Sequence, residues 1–495
     1  IFAGAIALLP AVGFSLFPKS EKPMFLINIE TPEGANIYET DRVTRYVEAG
    51  LKETPEIQYF TSNVGKGNPR IYYNVIQKGE SPNFAQIFVQ SEEMPVSEKV
   101  ALIDRLRTKF RQYPNAKIEV KDFEQGPNQE APIAIRVFGE NLDTMRTVAA
   151  QVESILKQTE GTIYVNNPLA TRKTSLKINI NKEKAGLLGI PIVEVNRTIR
   201  LAVAGLNIGS FKAGNGDDYN IVVTVPKGKF ADLKVFKNLQ VNSAVGTSVP
   251  LRQIADIQLE TSTNLIRHYD KDRYISVTAF LKSGYLTDNV YEQVLQKLNA
   301  MRFPQGFSYK AAGELESREK SFGGLGTIIL ITAFGFLGVL ILEFGTFKSS
   351  IIVLSVIPLG IVGAITILLL TGYPMSFVAI VGLIALVGIE VKNSILLVDF
   401  TNQLREEGMP LLQAIEHAGE LRFVPIVLTS LTAIGGLIPL AIEGNPLYSP
   451  LALVLIGGLI SSTLLSRIVT PVMYKLLPPR VEVKAQPEAE LVLGE

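Results

Sequence analysis

The sequence contains no cysteine, no tryptophan and only two histidines, His268 and His417. Without cysteine the chain can form no disulfide, no thiolate zinc site and no cysteine nucleophile, and two isolated histidines cannot make a histidine-rich metal cluster. Lysine plus arginine total 48 against 47 for aspartate plus glutamate, so the chain also lacks the basic field that drives nucleic-acid binding. We therefore expect no nucleic-acid partner and no metal cofactor.

Charge of either sign is scarce, and long apolar runs take its place. Charged residues are 19% of the chain, below the roughly 25% of soluble domains, and the mean hydropathy is +0.24. After Ser321, five nearly uncharged stretches are each close to the length that crosses a bilayer as a helix; they are 322–342, 351–370, 376–400, 423–442 and 451–473. The sequence predicts five complete membrane spans.

The opening residues 1–17 are also uncharged. They lack an initiator methionine and the basic region of a signal peptide, so they are interpreted as a partial transmembrane helix, truncated at its N-terminal end. The chain is then expected to be part of something larger. Basic residues predict the orientation, because Lys348, Arg405, Arg422 and the tail 479–495 lie on one side of the spans. This side should be cytoplasmic, which places the soluble region in the periplasm of a bacterial cell.

The soluble region has the strand and helix order β-α-β-β-α-β twice. The first unit is predicted over 23–129, and the second over 130–171 and 263–315. Between the two halves of the second unit, residues 172–262 form a strand-rich insert with a hairpin turning at Asn215-Gly216. The fold class is therefore an α+β membrane protein, with a helix bundle over 321–478 and two sandwiches outside the membrane.

Three ionisable residues lie within one predicted span: Glu390, Lys392 and Asp399. Charges inside a membrane are costly and indicate function by default. At 100° per residue, Lys392 and Asp399 lie on nearly the same face of the helix, but they are about 10 Å apart along its axis. Glu390 lies about 200° around the helix from Lys392. We therefore expect no ion pair within the helix. Structural alternatives remain open: an assembly lysine, a crevice-facing Glu390, an interfacial Asp399, and a packing role for Thr429.

The segment GIEVKNSILLVDF, followed by a charged cytoplasmic helix NQLREEGMPLLQAIEHAGE and by LRFVPIVLTSLTAIGGLIPLAI, resembles the tenth and eleventh membrane helices of resistance-nodulation-division (RND) efflux permeases. LEFGTFKSSIIVLSVIPLGIVGA resembles their eighth-to-ninth helix junction, and the start of the chain is similar to the beginning of their C-terminal half. The resemblance implies two ferredoxin-like porter subdomains, a docking subdomain in the insert, and a homotrimer in the inner membrane. It also implies a periplasmic adaptor protein, an outer-membrane channel and contact with membrane lipids.

The same resemblance implies a proton relay and no cofactor beyond the proton motive force. Lys392 matches the family's relay lysine, Asn393 its neighbour and Thr429 the relay threonine. Arg422 matches the arginine at the cytoplasmic entrance of the following helix. Asp399 and Glu390 are added as candidate proton sites, and Glu390 departs from the small or apolar residue usual at its position. The family's acidic pair lies on a helix of the other half.

The expected activity is proton-driven antiport, with export of small amphiphilic or toxic compounds as the main interpretation. Two alternatives remain open: export of heavy metals, which seven scattered methionines allow, and a non-efflux assembly or protein-export role within the same superfamily. An enzyme is not expected, because no phosphate-binding loop, Ser/His/Asp set or HExxH pattern is present.

Overall fold

The computed structural model describes residues 2–226, 234–263 and 265–482. Of the predicted tail 479–495, only the residues up to 482 are therefore described. The first apolar segment forms two short helices and a two-residue strand, which are α1 Phe2–Ala7, α2 Leu9–Val12 and β1 Phe14–Ser15. Gly13 ends α2 with a φ of +72°, a conformation that glycine adopts without steric cost.

The first soluble unit is a four-stranded antiparallel sheet with two helices; its elements are β2 Met24–Glu30, α3 Ile37–Lys52, β3 Ile57–Val64, β4 Phe84–Ser91, α4 Val96–Phe110 and β5 Lys117–Asp122. The strand order is β3-β4-β2-β5. Alternate residues of β2, Phe25, Ile27 and Ile29, are fully buried in its core because side chains alternate between the two faces of a strand. The Asn36 side chain caps α3 by accepting from the Glu39 N–H.

The second unit starts in the same way and is then interrupted. Its first part is β6 Ile133–Phe138, α5 Leu142–Gln158 and β7 Thr162–Asn166. The insert follows, with β8 Arg172–Ile180, α6 Lys182–Leu187, α7 Ile192–Val203, β9 Leu206–Lys212, β10 Asp218–Val223, α8 Lys234–Asn238, β11 Gln240–Asn242, β12 Ser248–Pro250, α9 Leu251–Ile254 and β13 Ala255–Thr263. The unit then resumes with β14 Arg267–Tyr269, β15 Asp272–Leu281, α10 Thr287–Ala300 and β16 Ser308–Gly313.

The chain leaves the second sheet after β7 and re-enters it at β14. The order is β14-β15-β6-β16, and β7 also pairs with β15. Within the insert, β8 and β13 run antiparallel from Arg172↔Thr263 to Ile180↔Ala255 and form a two-stranded stem. The predicted hairpin is present as β9 and β10, and Gly216 takes a φ of +89° in its loop. Every residue of β10 is exposed.

The remaining chain is almost entirely helical; its elements are α11 Glu314–Phe322, α12 Leu325–Phe344, α13 Phe347–Leu354, α14 Ile357–Thr371, β17 Met375–Ser376, α15 Phe377–Glu406, α16 Leu411–Ile442 and α17 Ser449–Leu476. They supply five helical spans that are long and apolar enough to cross a membrane. The charged segment predicted as a separate helix is instead shared between the ends of α15 and α16. Gly408, with a φ of +92°, and Pro410 separate these two helices.

Small residues allow α14, α15 and α17 to pack closely. A Cβ at Gly363 of α14 would overlap the Gly457 carbonyl of α17, and a Cβ at Gly458 would overlap the Leu386 side chain of α15. A Cβ at Gly360 would overlap the Glu390 carboxylate. Because apolar helices gain little from leaving lipid, such close backbone contacts are a main source of helix association in membranes.

The start of α15 is joined to the soluble region by backbone hydrogen bonds. β1 and β17 pair in parallel, with Phe14 beside Met375 and Ser15 beside Ser376. The Phe377 N–H donates to the Leu16 carbonyl at 3.2 Å, and the Leu16 N–H donates to Glu314 Oε1 at 2.9 Å. The first turn of α15 therefore shares one hydrogen-bonded joint with the segments that lead into the first unit and out of the second.

Gly363→Ala should force α14 and α17 apart and lower the stability of the protein by about 1–3 kcal/mol, the usual cost of overpacking. The matched control is Gly338→Ala on α12, where an added Cβ meets no atom within 4 Å. Thermal unfolding of the purified protein measures both, and we expect the control to be neutral or slightly stabilising. Equal melting temperatures for the two variants would contradict the close packing described here.

Candidate functional site

The helix α15 carries the three ionisable residues predicted for the membrane. Ser376 begins the helix by accepting a hydrogen bond from the Ala379 N–H at 3.1 Å. The Glu390 side chain is buried, with 2% of the residue exposed, whereas Lys392 is exposed and Asp399 is half-buried. Glu390 and Lys392 thus lie on different faces, as the predicted angle between them requires.

Glu390 faces a small polar chamber enclosed by α15, α16, α17 and the turn that precedes α14. The cavity is about 20 Å³, room for roughly one water molecule, and its walls come from Val356, Glu390, Asn393, Ser394, Leu397, Ile426, Ser462, Thr463, Ser466 and Thr470. We call it the Glu390 chamber. Six of these ten residues, besides Glu390 itself, have an oxygen-bearing side chain, and none is basic.

Few of the chamber's polar atoms are hydrogen-bonded within the part of the chain that the structure describes. Both carboxylate oxygens of Glu390, and the hydroxyls of Ser394 and Thr470, make no hydrogen bond of good geometry there. The Ser462 hydroxyl donates to the Leu459 carbonyl at 3.3 Å, and the Thr463 hydroxyl is 2.8 Å from the Ser430 hydroxyl. The chamber therefore holds carboxylate and hydroxyl oxygens without a hydrogen bond of good geometry among the described residues.

Lys392 and Thr429, the two central relay candidates, are both exposed. The Thr429 hydroxyl donates to the Pro425 carbonyl one turn earlier at 2.8 Å. Within the described ranges no carboxylate lies at ion-pair distance from Lys392, and Asp399 accepts instead from Gln403 Nε2 at 2.8 Å. This agrees with the prediction that Lys392 and Asp399 are too far apart along the helix to form an ion pair.

Arg422 is positioned by an aromatic ring. Its guanidinium carbon lies 4.6 Å from the centroid of the Phe400 ring, and Phe400 follows Asp399 in the sequence. Asn393, by contrast, lines the Glu390 chamber. The structure thus separates the six predicted relay residues: Lys392 and Thr429 are exposed, and Glu390 and Asn393 line the chamber. Asp399 accepts a hydrogen bond from Gln403, and Arg422 lies over Phe400.

Sequence reasoning missed most of the chamber wall. Ser394 follows Glu390 by four residues, and Ser462, Ser466 and Thr470 follow one another at the same spacing on α17. Residues four apart lie on one face of a helix, so this repeat of hydroxyls was a readable signal. No sequence signal marked Gly360. It contacts the Glu390 carboxylate only because α15 packs against α14, and the sequence does not specify that packing.

A second candidate site is a cleft of about 380 Å³ between the two soluble units, whose walls include Lys117, Glu119, Lys121, Tyr164 and Phe280. Glu119 accepts ion pairs from Lys117 and Lys121, both at 2.7 Å. Burial opposes ionisation of Glu119, but the two ammonium groups outweigh it and hold the pKa of its carboxyl below its usual range. The wall is therefore charged and also aromatic.

The described residues offer no group of three or more His, Asp or Glu side chains placed to hold a metal ion. Carboxylates that line the cleft are instead ion-paired with basic side chains, as Glu30 is with Lys78 and Glu119 with Lys117 and Lys121.

Comparison with known proteins gives several relatives of this chain. The cobalt-zinc-cadmium resistance protein CzcA of Cupriavidus metallidurans is 28% identical over 352 residues, covering 70% of this chain and 33% of the relative. The nickel and cobalt resistance protein CnrA of the same species is 27% identical over 464 residues, covering 90% and 43%. The swarming motility protein SwrC of Bacillus subtilis is 24% identical over 478 residues, covering 96% and 44%.

The same fold is present in a solved structure. A crystal structure of a heavy metal efflux pump matches with a TM-score of 0.77 and 22% identity, over 96% of this chain and 49% of the other. This chain thus spans a third to about half of the length of the proteins it matches. The sequence profile of the AcrB/AcrD/AcrF family matches residues 1–478. The chain therefore belongs to the AcrB/AcrD/AcrF family of resistance-nodulation-division permeases, as its membrane motifs predicted.

Proposed function

We propose that this chain is part of a proton-driven efflux pump that exports heavy-metal cations. The observation that carries the proposal is the similarity to CzcA and CnrA, whose names record resistance to cobalt, zinc, cadmium and nickel. These relatives favour metals over the small amphiphilic compounds that the sequence analysis put first. A secondary active transporter also fits the five apolar spans better than an enzyme does.

Export of amphiphilic compounds is the second candidate. The cleft between the soluble units supports it, because Tyr164 and Phe280 supply aromatic surface to its wall. The absence of a three-ligand metal group from the described ranges points in the same direction. The two substrate classes differ in charge and in ligand chemistry, so a single resistance assay separates them.

Lys392 is the centre of the proposed proton relay. Its exposed position lets its ammonium face carboxylates supplied by a helix outside this chain, and in a low-dielectric site an ammonium holds such carboxylates ionised. Protonation of one carboxylate would release Lys392 and switch the helix contact between two states. We assign Asn393, Thr429, Arg422 and Asp399 supporting positions in this relay, and no cofactor beyond the proton motive force.

The joint at the start of α15 supports a route from the relay to the soluble units. The ring of Phe377 of α15 packs at a tilt against Phe17 and Phe322, with ring centroids 5.6 Å apart in both pairs. A shift of α15 would therefore move the segments that enter the first unit and leave the second. We infer that these units are the two ferredoxin-like porter subdomains, which open and close the cleft between them in alternating access.

The insert supports a role in assembly. Its β9–β10 hairpin exposes large apolar side chains, with Ile208 62% and Phe211 60% exposed. Such surface normally marks a contact with another protein. We infer that the hairpin docks onto a neighbouring copy in a homotrimer of the bacterial inner membrane. In that assembly the soluble units are periplasmic and meet an adaptor protein and an outer-membrane channel.

Production of the full-length protein in a metal-sensitive bacterial host should raise the tolerated concentrations of cobalt, zinc, cadmium or nickel salts. Amphiphilic dyes and detergents serve as the comparison in the same host. Tolerance to metals without tolerance to dyes is the expected result. Tolerance to dyes alone would reject the metal proposal in favour of the second candidate, and tolerance to neither would contradict both.

Lys392→Met should reduce export to the level of a host without the pump. The variant removes the ammonium that is proposed to be released when a facing carboxylate is protonated, and it keeps most of the side-chain volume. The matched control is Lys475→Met, which removes an exposed charge from the last turn of α17. Immunoblots check that both variants reach the membrane equally. Unchanged export by the Lys392 variant would rule out its place in the relay.

A further inference from the structure

Glu390 and Lys392 are two residues apart but lie in separate environments. The exposed face of α15 carries Lys392, whereas the Glu390 carboxylate points at Gly360 of α14 and into the Glu390 chamber. With 2% of the residue exposed, Glu390 is enclosed by helices of this chain itself. A helix that docks against Lys392 from outside therefore does not reach this carboxylate.

The buried charge needs compensation from inside the chamber. Transfer of an unpaired carboxylate into a low-dielectric interior is strongly unfavourable. No lysine, arginine or histidine lines the chamber, and neither carboxylate oxygen makes a hydrogen bond of good geometry with the described residues. One positive charge would make the site neutral, whereas a divalent cation would leave a net charge of the opposite sign buried in the bundle.

Several other oxygen atoms of the chamber have lone pairs available to a cation. Ser462 directs its proton to the Leu459 carbonyl, and Thr463 shares a hydrogen bond with Ser430. The hydroxyls of Ser394 and Thr470 are buried and have no partner among the described residues. A single proton on Glu390 would engage one of these oxygens, whereas a small cation engages several at once, as hard cations prefer.

The chamber also adjoins a break in the helix that faces it. Pro358 has no N–H to donate to the Leu354 carbonyl, and the chain turns between α13 and α14 at residues 355–356. Val356, in this turn, lines the chamber. Interrupted membrane helices recur at the Na⁺ and H⁺ sites of secondary transporters, where unwound backbone supplies oxygen ligands.

From this geometry we propose that the Glu390 chamber is a Na⁺ site, in which the Glu390 carboxylate and the hydroxyl oxygens of Ser394 and Ser462 coordinate one ion. The cavity of about 20 Å³ has room for a single ion of this kind. The bound ion would tie α15 to α17 beside the glycine contact with α14. The site is independent of Lys392 and of the substrate that the pump exports.

Thermal unfolding of the purified full-length protein in NaCl, KCl or choline chloride tests the site at equal ionic strength and fixed, mildly alkaline pH. We expect Na⁺ alone to raise the melting temperature by a few degrees, in a saturable way, because it binds the folded state only. Retention of radioactive Na⁺ by the same protein should saturate at one ion per chain.

Glu390→Gln keeps the shape of the side chain and should abolish both the Na⁺-dependent stabilisation and the retention of the ion. Ser394→Ala should weaken the apparent Na⁺ affinity by about tenfold or more, since loss of even an outer-shell partner commonly costs that much. Glu407→Gln, at the exposed end of the same helix, is the matched control and should respond to Na⁺ like the wild type.

Equal melting temperatures in Na⁺, K⁺ and choline would overturn the proposal and leave a proton as the occupant of the chamber. A Na⁺ response that survives in Glu390→Gln would place the ion elsewhere and overturn it as well. If Glu390→Gln does not accumulate as folded protein, the affinity of Ser394→Ala decides, and a wild-type value contradicts the site. None of these readouts depends on export, so failure of the pump proposal is recognised separately.

Discussion

The close approach of α14, α15 and α17 is the constraint on which the rest of this structure depends. Glycine carbonyls and side chains meet there without room for a Cβ, and one of the groups packed into the contact is the carboxylate of Glu390. Because lipid cannot satisfy polar groups, this packing decides which side chains of α15 are enclosed and which face outward. It buries Glu390 and leaves Lys392 exposed, so two charges that are two residues apart lie in different environments.

The other end of α15 connects this packing to the soluble region. The helix begins in a joint made by β17, β1 and Glu314, where hydrogen bonds and three packed phenylalanine rings hold it to both soluble units. A rigid helix with a charge at its middle and a joint at its end can convert a change of charge into a movement of the cleft. The geometry thus favours α15 moving as one mechanical element, rather than several contacts that change independently.

Sequence reasoning recovered the parts whose signal is periodic or compositional. The five spans follow from uncharged length, and the hairpin at Asn215-Gly216 from its turn residues. The different faces of Glu390 and Lys392 follow from helical geometry alone. The continuous α15 and α16 were missed because their charged ends resemble a separate helix, and Gly408 was not recognised as the break. The chamber around Glu390 depends on how three helices pack, which a single sequence does not specify, although the four-residue repeat of hydroxyls on α17 points to a polar face.

The central claim is that the pump of which this chain is proposed to be part couples proton movement to the export of metal cations. Its most direct test is proton flux in proteoliposomes that contain the full-length protein and a pH-sensitive dye in the lumen, under an imposed proton gradient. Addition of Zn²⁺ or Co²⁺ on the substrate side should accelerate collapse of the gradient, and Mg²⁺ or an amphiphilic dye should not. Collapse that is indifferent to the metal, or that an amphiphilic dye alone accelerates, would contradict the account.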